Sequence, residues 1–153
     1  MSTIKVGQKA PAFAGKIQSG KEVSLSNYSG RKLILYFYPK DLTPGCTAQS
    51  CSLGENFGTL RGKGFEVLGV SADNAKKHVQ FIEKYSLPFD LLADVDRQTI
   101  MAYGVWGKKK FMGREYEGIL RTTFIISENG TIEHILDKPD TKNHADEILS
   151  LYP

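Results

Sequence analysis

A chain of 153 residues, 41% hydrophobic and 24% charged, is long enough to bury a core and too apolar to remain disordered. Its longest apolar run, Leu33 to Tyr38, is far too short to span a bilayer, and Met1 to Val6 lack a secretory signal's apolar stretch, so a cytoplasmic location is expected. The formal charge of +3 is spread along the chain; its one cluster, Lys108-Lys109-Lys110, lacks the interleaved aromatics of a nucleic-acid surface and reads as a solvated loop.

In chain order, Lys16-Ile17 and Glu22 to Leu25 flank Ser19-Gly20, which predicts an opening hairpin. Lys32 to Tyr38 is a continuous apolar and aromatic run, the pattern of a strand buried on both faces. A helical segment follows, with Cys46, Leu53, Phe57 and Leu60 near one face. Phe65 to Ser71 predicts a second buried strand, reached by a parallel crossover through that helix. Ala75 to Tyr85 reads as a helix with Val79, Ile82 and Tyr85 inward, and Gln98 to Tyr103 as a short one. Thr122 to Ile126 and Ile132 to Leu136 bracket Asn129-Gly130, a strong hairpin signal. A last helix runs from about Asn143 to Leu151. No repeat, low-complexity tract or linker interrupts residues 1–153, so the chain is treated as one domain. Alternating strands and helices closed by a hairpin predict an α/β fold around a central mixed sheet.

The chemistry centres on Tyr38-Pro39-Lys40-Asp41-Leu42-Thr43-Pro44-Gly45-Cys46, which leaves a buried strand and enters a helix. Thr43 suits the N-cap, and Pro44 suits the first helical position, where its missing N–H costs nothing. Cys46 then falls in the first turn, where unpaired N–H groups and the positive end of the dipole favour a thiolate, the nucleophilic form. The segment also lies beyond the carboxyl end of a strand, the usual ligand side of an α/β sheet. Taken alone, it leaves two readings open, a reactive thiol and an inert buried cysteine. The second cysteine, Cys51, is five positions on. Were both helical, their Cα atoms would be about 8.7 Å apart and point roughly 140° away from each other. A disulfide needs about 7 Å or less, so the pair can join only if the helix unwinds. Gly54 and Gly58 follow in the same segment; each weakens a helix by about 1 kcal/mol relative to Ala, and each equally allows close packing against the sheet.

The segment Pro39-x-x-x-Thr43-x-x-Cys46 resembles the active-site motif of the peroxiredoxins. The five-residue step to Cys51 is similar to their bacterioferritin comigratory (peroxiredoxin Q) subfamily. The likeness extends through Tyr103 to Gly107, Phe111-Met112-Gly113, Tyr116-Glu117-Gly118, Arg121 to Phe124 and Gly130-x-Ile132, and so covers most of the chain. The resemblance implies a thioredoxin-like fold, its mixed sheet flanked by helices, with an N-terminal hairpin extension. It implies that Cys46 attacks hydroperoxides, that Cys51 resolves the product as an intrachain disulfide, and that thioredoxin or a similar dithiol reduces it. It further implies that Thr43 hydrogen-bonds the thiolate and the peroxide, that Pro39 shields the thiolate from water, and that Arg121 sets a guanidinium beside the sulfur. Gln49 departs from the Glu found in many relatives three residues past the reactive cysteine.

Other chemistries find little support. His78, His134 and His144 lack metal-ligand spacing, and no Gly-rich phosphate loop is present, so neither metal nor cofactor is expected. Trp106, Phe111, Met112 and Tyr116 read as core rather than as an apolar approach to Cys46. A thioredoxin-like disulfide reductase without peroxidase activity is the alternative, disfavoured because Cys-x-x-Cys is absent. A binding module with inert cysteines is a further one. An intrachain disulfide needs no partner subunit, so a monomer without nucleic-acid or membrane partners is expected.

Overall fold

The computed structural model describes residues 4–153; the start of the N-terminal segment, Met1 to Thr3, lies outside the described residues. The central sheet has five strands. Strands β3 (Lys32–Phe37), β4 (Phe65–Ser71) and β5 (Asp90–Ala93) run parallel, β8 (Thr122–Ile126) is antiparallel to β3, and β9 (Ile132–Leu136) is antiparallel to β8, in the order β5-β4-β3-β8-β9. The predicted mixed sheet is therefore present. Its terminal hairpin turns at Gly130, whose φ of 86° a side chain would resist.

Strand alternation divides the core in two. Leu33, Leu35 and Phe37 face one side with Leu68, Val70, Phe124 and Tyr103. Ile34 and Tyr36 face the other, with Val67, Ile125 and the apolar residues of the packed helices. Helices α1 (Pro44–Glu55), α2 (Phe57–Gly62), α3 (Ala75–Tyr85) and α5 (His144–Leu149) contribute to this second side. The short α4 (Gln98–Ala102) packs on the first.

The N-terminal hairpin, β1 (Ala14–Lys16) with β2 (Glu22–Ser24), protects the sheet's exposed edge. Ile17 bridges Leu92, and the Gln18 amide pairs with Asp90 and the backbone N–H of Leu91. A second two-stranded unit, β6 (Trp106–Phe111) with β7 (Arg114–Ile119), stands apart from the main sheet. This corrects the loop expected at Lys108 to Lys110, because three consecutive lysines still leave a pairable backbone, paired here with Glu117, Tyr116 and Glu115. It also corrects the core reading of Phe111, Met112 and Tyr116, which are exposed because little covers the hairpin's tip.

On α3, His78 and Phe81 are the fully buried residues, with Ile82 and Tyr85 beside them and Val79 only half-buried. Hydrophobic period alone moves the predicted face off His78. Buried partners for its ring, which no periodicity records, restore it.

Candidate active site

The segment between β3 and α1 delivers the cysteine where the sequence predicts. Thr43 has extended backbone at the N-cap of α1, Pro44 opens the helix, and Cys46 lies in its first turn. Its side chain is only 1% exposed. Arg121 precedes β8 with the parity of Thr123 and Ile125, so it faces the helical side of the sheet. Its Nη2 donates to Cys46 Sγ at 3.3 Å, and its Nη1 donates to Gln49 Oε1 at 2.7 Å. One cation thus spans the sulfur and the amide one turn further on.

Two small features make that contact possible. Gly45 carries no Cβ where one would lie 3.3 Å from Arg121 Nη2. Gln49 accepts the second guanidinium bond without adding a negative charge. Its own amide nitrogen is buried with no hydrogen-bond partner among the described residues. A buried orphan donor costs about 1–3 kcal/mol, so it weakens the closed helix.

Thr43 departs from expectation. Its hydroxyl donates to Lys40 O at 2.8 Å and makes no capping bond. With that proton committed, Thr43 Oγ1 does not donate to the thiolate; its lone pairs remain free to accept an O–H. Pro39, half-buried, lies on the same loop before Lys40. Lys109, not singled out from the sequence, donates to Ile119 O at 2.9 Å. Burial, then the Arg121 cation, push its amine below the ordinary lysine range, while Cys46 pulls it upward. It therefore adds a second cation within electrostatic reach of the sulfur.

Cys46 and Cys51 both lie within α1 and both are free thiols. The helix keeps them about 8.7 Å apart at Cα, beyond disulfide reach. Cys51 is half-buried. Burial, then the Glu55 carboxylate, raise its pKa above the ordinary 9.0, so in this closed form it stays protonated near neutral pH. The two thiols are in different electrostatic settings: one faces a guanidinium, the other a carboxylate.

What holds α1 is mostly polar. Ser50 Oγ pairs with Tyr36 Oη at 2.8 Å, and Ser52 Oγ accepts from the backbone N–H of Ala145 at 3.1 Å. Leu53 is its one fully buried large apolar side chain. The two glycines differ in what surrounds them. A Cβ at Gly54 would meet Pro88 Cδ at 3.3 Å and Leu87 Cδ2 at 3.6 Å, so this glycine serves close packing. At Gly58 nothing lies within 4 Å.

Among the described residues, Asp41, Asp73 and His78 have ligand-type atoms within 4.8 Å of one another. Those atoms already pair internally: His78 Nδ1 with Asp41 Oδ2 at 2.6 Å, Tyr38 Oη with Asp41 Oδ1 at 2.5 Å, and Ser71 Oγ with Asp73 Oδ2 at 2.7 Å.

Comparison with known proteins bears on this geometry. Residues 6–135 match the AhpC/TSA family model. The chain is 50% identical over 149 residues to a Haemophilus influenzae relative carrying the peroxiredoxin bcp name, covering 97% of this chain and 96% of that one. It is 45% identical over 150 residues to peroxiredoxin Bcp of Escherichia coli K12, covering 98% and 96%. Among solved structures, a Xanthomonas campestris bacterioferritin comigratory protein studied for alkyl peroxide reduction superposes with a TM-score of 0.86 at 30% identity, covering 99% and 96%. A Xylella fastidiosa PrxQ cysteine-to-serine mutant superposes with a TM-score of 0.92 at 28% identity, covering 99% and 96%.

Proposed function

The chain belongs to the AhpC/TSA family and is a thiol-dependent peroxidase with a thioredoxin-like fold; from that premise we propose that Cys46 is its peroxidatic residue and Cys51 its resolving one. The observation that supports this division is the guanidinium: Arg121 touches Cys46 Sγ, while Cys51 faces Glu55.

The reaction proceeds in balanced steps. The Cys46 thiolate attacks one peroxide oxygen; an S–O bond forms, the O–O bond breaks, and sulfur loses two electrons as the peroxide gains them. The departing alkoxide or hydroxide takes a proton from solvent. Arg121 stabilises the negative charge as it moves from sulfur to the leaving oxygen. Thr43 Oγ1 accepts the peroxide O–H, and Pro39 keeps water from the sulfur. Unwinding of α1 then brings Cys51 to the sulfenic acid, and a disulfide forms with loss of water. A dithiol of the thioredoxin type returns both cysteines to thiols and is itself oxidised. The substrates are hydrogen peroxide and organic hydroperoxides. The chain acts as one domain in the cytoplasm, and as a monomer, since a disulfide between two thiols of one chain needs no partner subunit.

The test uses pre-reduced protein. Cys46→Ser is expected to consume no peroxide, and Cys51→Ser to consume one equivalent and stall as a sulfenic acid. If Cys46→Ser kept the first turnover and Cys51→Ser lost it, the two roles would be reversed.

A further inference from the structure

Beneath the catalytic loop lies a buried network that the chemistry above does not use. Asp41 and His78 are 1% and 0% exposed. Asp41 Oδ1 pairs with Tyr38 Oη at the end of β3, and Asp41 Oδ2 with His78 Nδ1 on α3. The other ring nitrogen, His78 Nε2, faces Leu92 O on β5 at 3.0 Å. A backbone carbonyl only accepts, so Nε2 donates there, and one proton bridges Nδ1 and Asp41 Oδ2. The Asp41 backbone N–H donates to Asp73 Oδ2 at 2.8 Å. One loop residue is thereby tied to two strands, a helix and the loop after β4.

The next residue explains the need for such an anchor. Leu42 has a φ of 66°, the left-handed region in which a side chain is strained. Such a conformation persists only where its surroundings over-determine it. Directly after it comes Thr43, whose hydroxyl is aimed by Lys40 O. The strained residue thus sits between the anchor and the group that meets the peroxide.

We infer that Asp41 and His78 are positioning residues: they hold Leu42 in its left-handed conformation and thereby fix Thr43 beside Cys46. This rests on the peroxidase reading and deepens it. The anchor lies outside α1, so it holds the loop half of the site in place while the helix half unwinds and rewinds.

The two ring nitrogens can be tested separately by stopped-flow consumption of hydrogen peroxide by pre-reduced protein. His78→Asn keeps a donor near Nδ1 and loses the one to Leu92 O; His78→Gln does the opposite. If Asp41 is the partner that matters, His78→Gln slows the first turnover by about 10- to 100-fold, the scale on which small misplacements act, while His78→Asn stays near the wild-type rate. A residue acting through Thr43 also gives a non-additive cycle: His78→Gln with Thr43→Val is no slower than Thr43→Val alone. Tyr38→Phe removes one bond to Asp41 and almost no volume; it carries the same expectation, including the cycle, should His78→Gln not fold. Wild-type rates in His78→Gln and Tyr38→Phe, equal slowing by Asn and Gln, or losses that multiply in the double variant would each overturn the inference. So would a Thr43→Val chain as fast as wild type. A wild-type chain that consumes no peroxide would instead sink the peroxidase reading itself.

Discussion

Helices α1 and α3 pack on the same side of the sheet, yet different forces hold them there. Helix α3 begins with a side-chain cap, Asn74 accepting from the Lys77 N–H, and buries Phe81 with Ile82 and Tyr85 against the core. Helix α1 has no side-chain cap, and its buried set of Cys46, Gln49, Ser50, Ser52 and Leu53 is largely polar. Apolar burial is non-directional and survives small shifts, whereas these hydrogen bonds fail together once the helix moves. The orphaned Gln49 amide lowers the threshold further. In the proposed cycle α1 is therefore the element expected to open, with α3 and the strands as its support.

Core truncation gives the largest expected contrast. Phe81→Ala should destabilise the whole fold by about 3–5 kcal/mol in denaturant unfolding. Ser50→Ala leaves the buried Tyr36 hydroxyl unpaired and should cost about 1–3 kcal/mol. Hydrogen exchange should confine most of that loss to α1. Were Ser50→Ala to lower protection equally in α3 and β4, the two helices would form one cooperative unit and the contrast would fail.

Oxidation should produce the next effect. The disulfide form is expected to lose amide protection between Cys46 and about Gly54 while α3 and the strands keep theirs. An oxidised chain in which α1 stays protected would rule out pairing of these two cysteines within one molecule.

A smaller effect concerns Glu55, which with burial holds the Cys51 pKa above 9.0. The thiolate is the attacking form, so disulfide formation should speed up as pH rises toward and past that value. Glu55→Gln lowers the Cys51 pKa and should quicken this step a few-fold at most at neutral pH, since solvent screens a half-exposed thiol. An unchanged rate of sulfenic acid decay in Glu55→Gln would show that helix opening, not thiol ionisation, limits resolution.

The smallest contrast separates the two glycines. Gly58→Ala, with open space at the new methyl, should stabilise the protein by up to about 1 kcal/mol. Gly54→Ala should gain nothing, because its methyl presses on Pro88. Equal stabilisation of both by thermal unfolding would mean that the Leu87–Pro88 turn yields freely.

By itself the sequence determined the opening and closing hairpins, the buried strands β3 and β4 with the helices between and after them, the entry of Cys46 into a helix, and the impossibility of a Cys46–Cys51 bond in that helix. Each of these follows from local pattern: apolar runs, Pro44 at a helix start, and a five-residue step against a 3.6-residue turn. The four-residue β5 was missed because so short an apolar run carries little periodic signal, and the β6–β7 hairpin because its residues are mostly polar. Long-range approach alone decided the rest. Arg121 meets Cys46 across 75 positions of chain, through strand parity and the gap at Gly45. Asp41 meets His78 across 37, and Thr43 turns its hydroxyl to Lys40 rather than to its own helix. Side-chain pairings of this kind depend on which elements the sheet sets side by side, and hydrophobic period carries no record of where a buried polar group finds its partner.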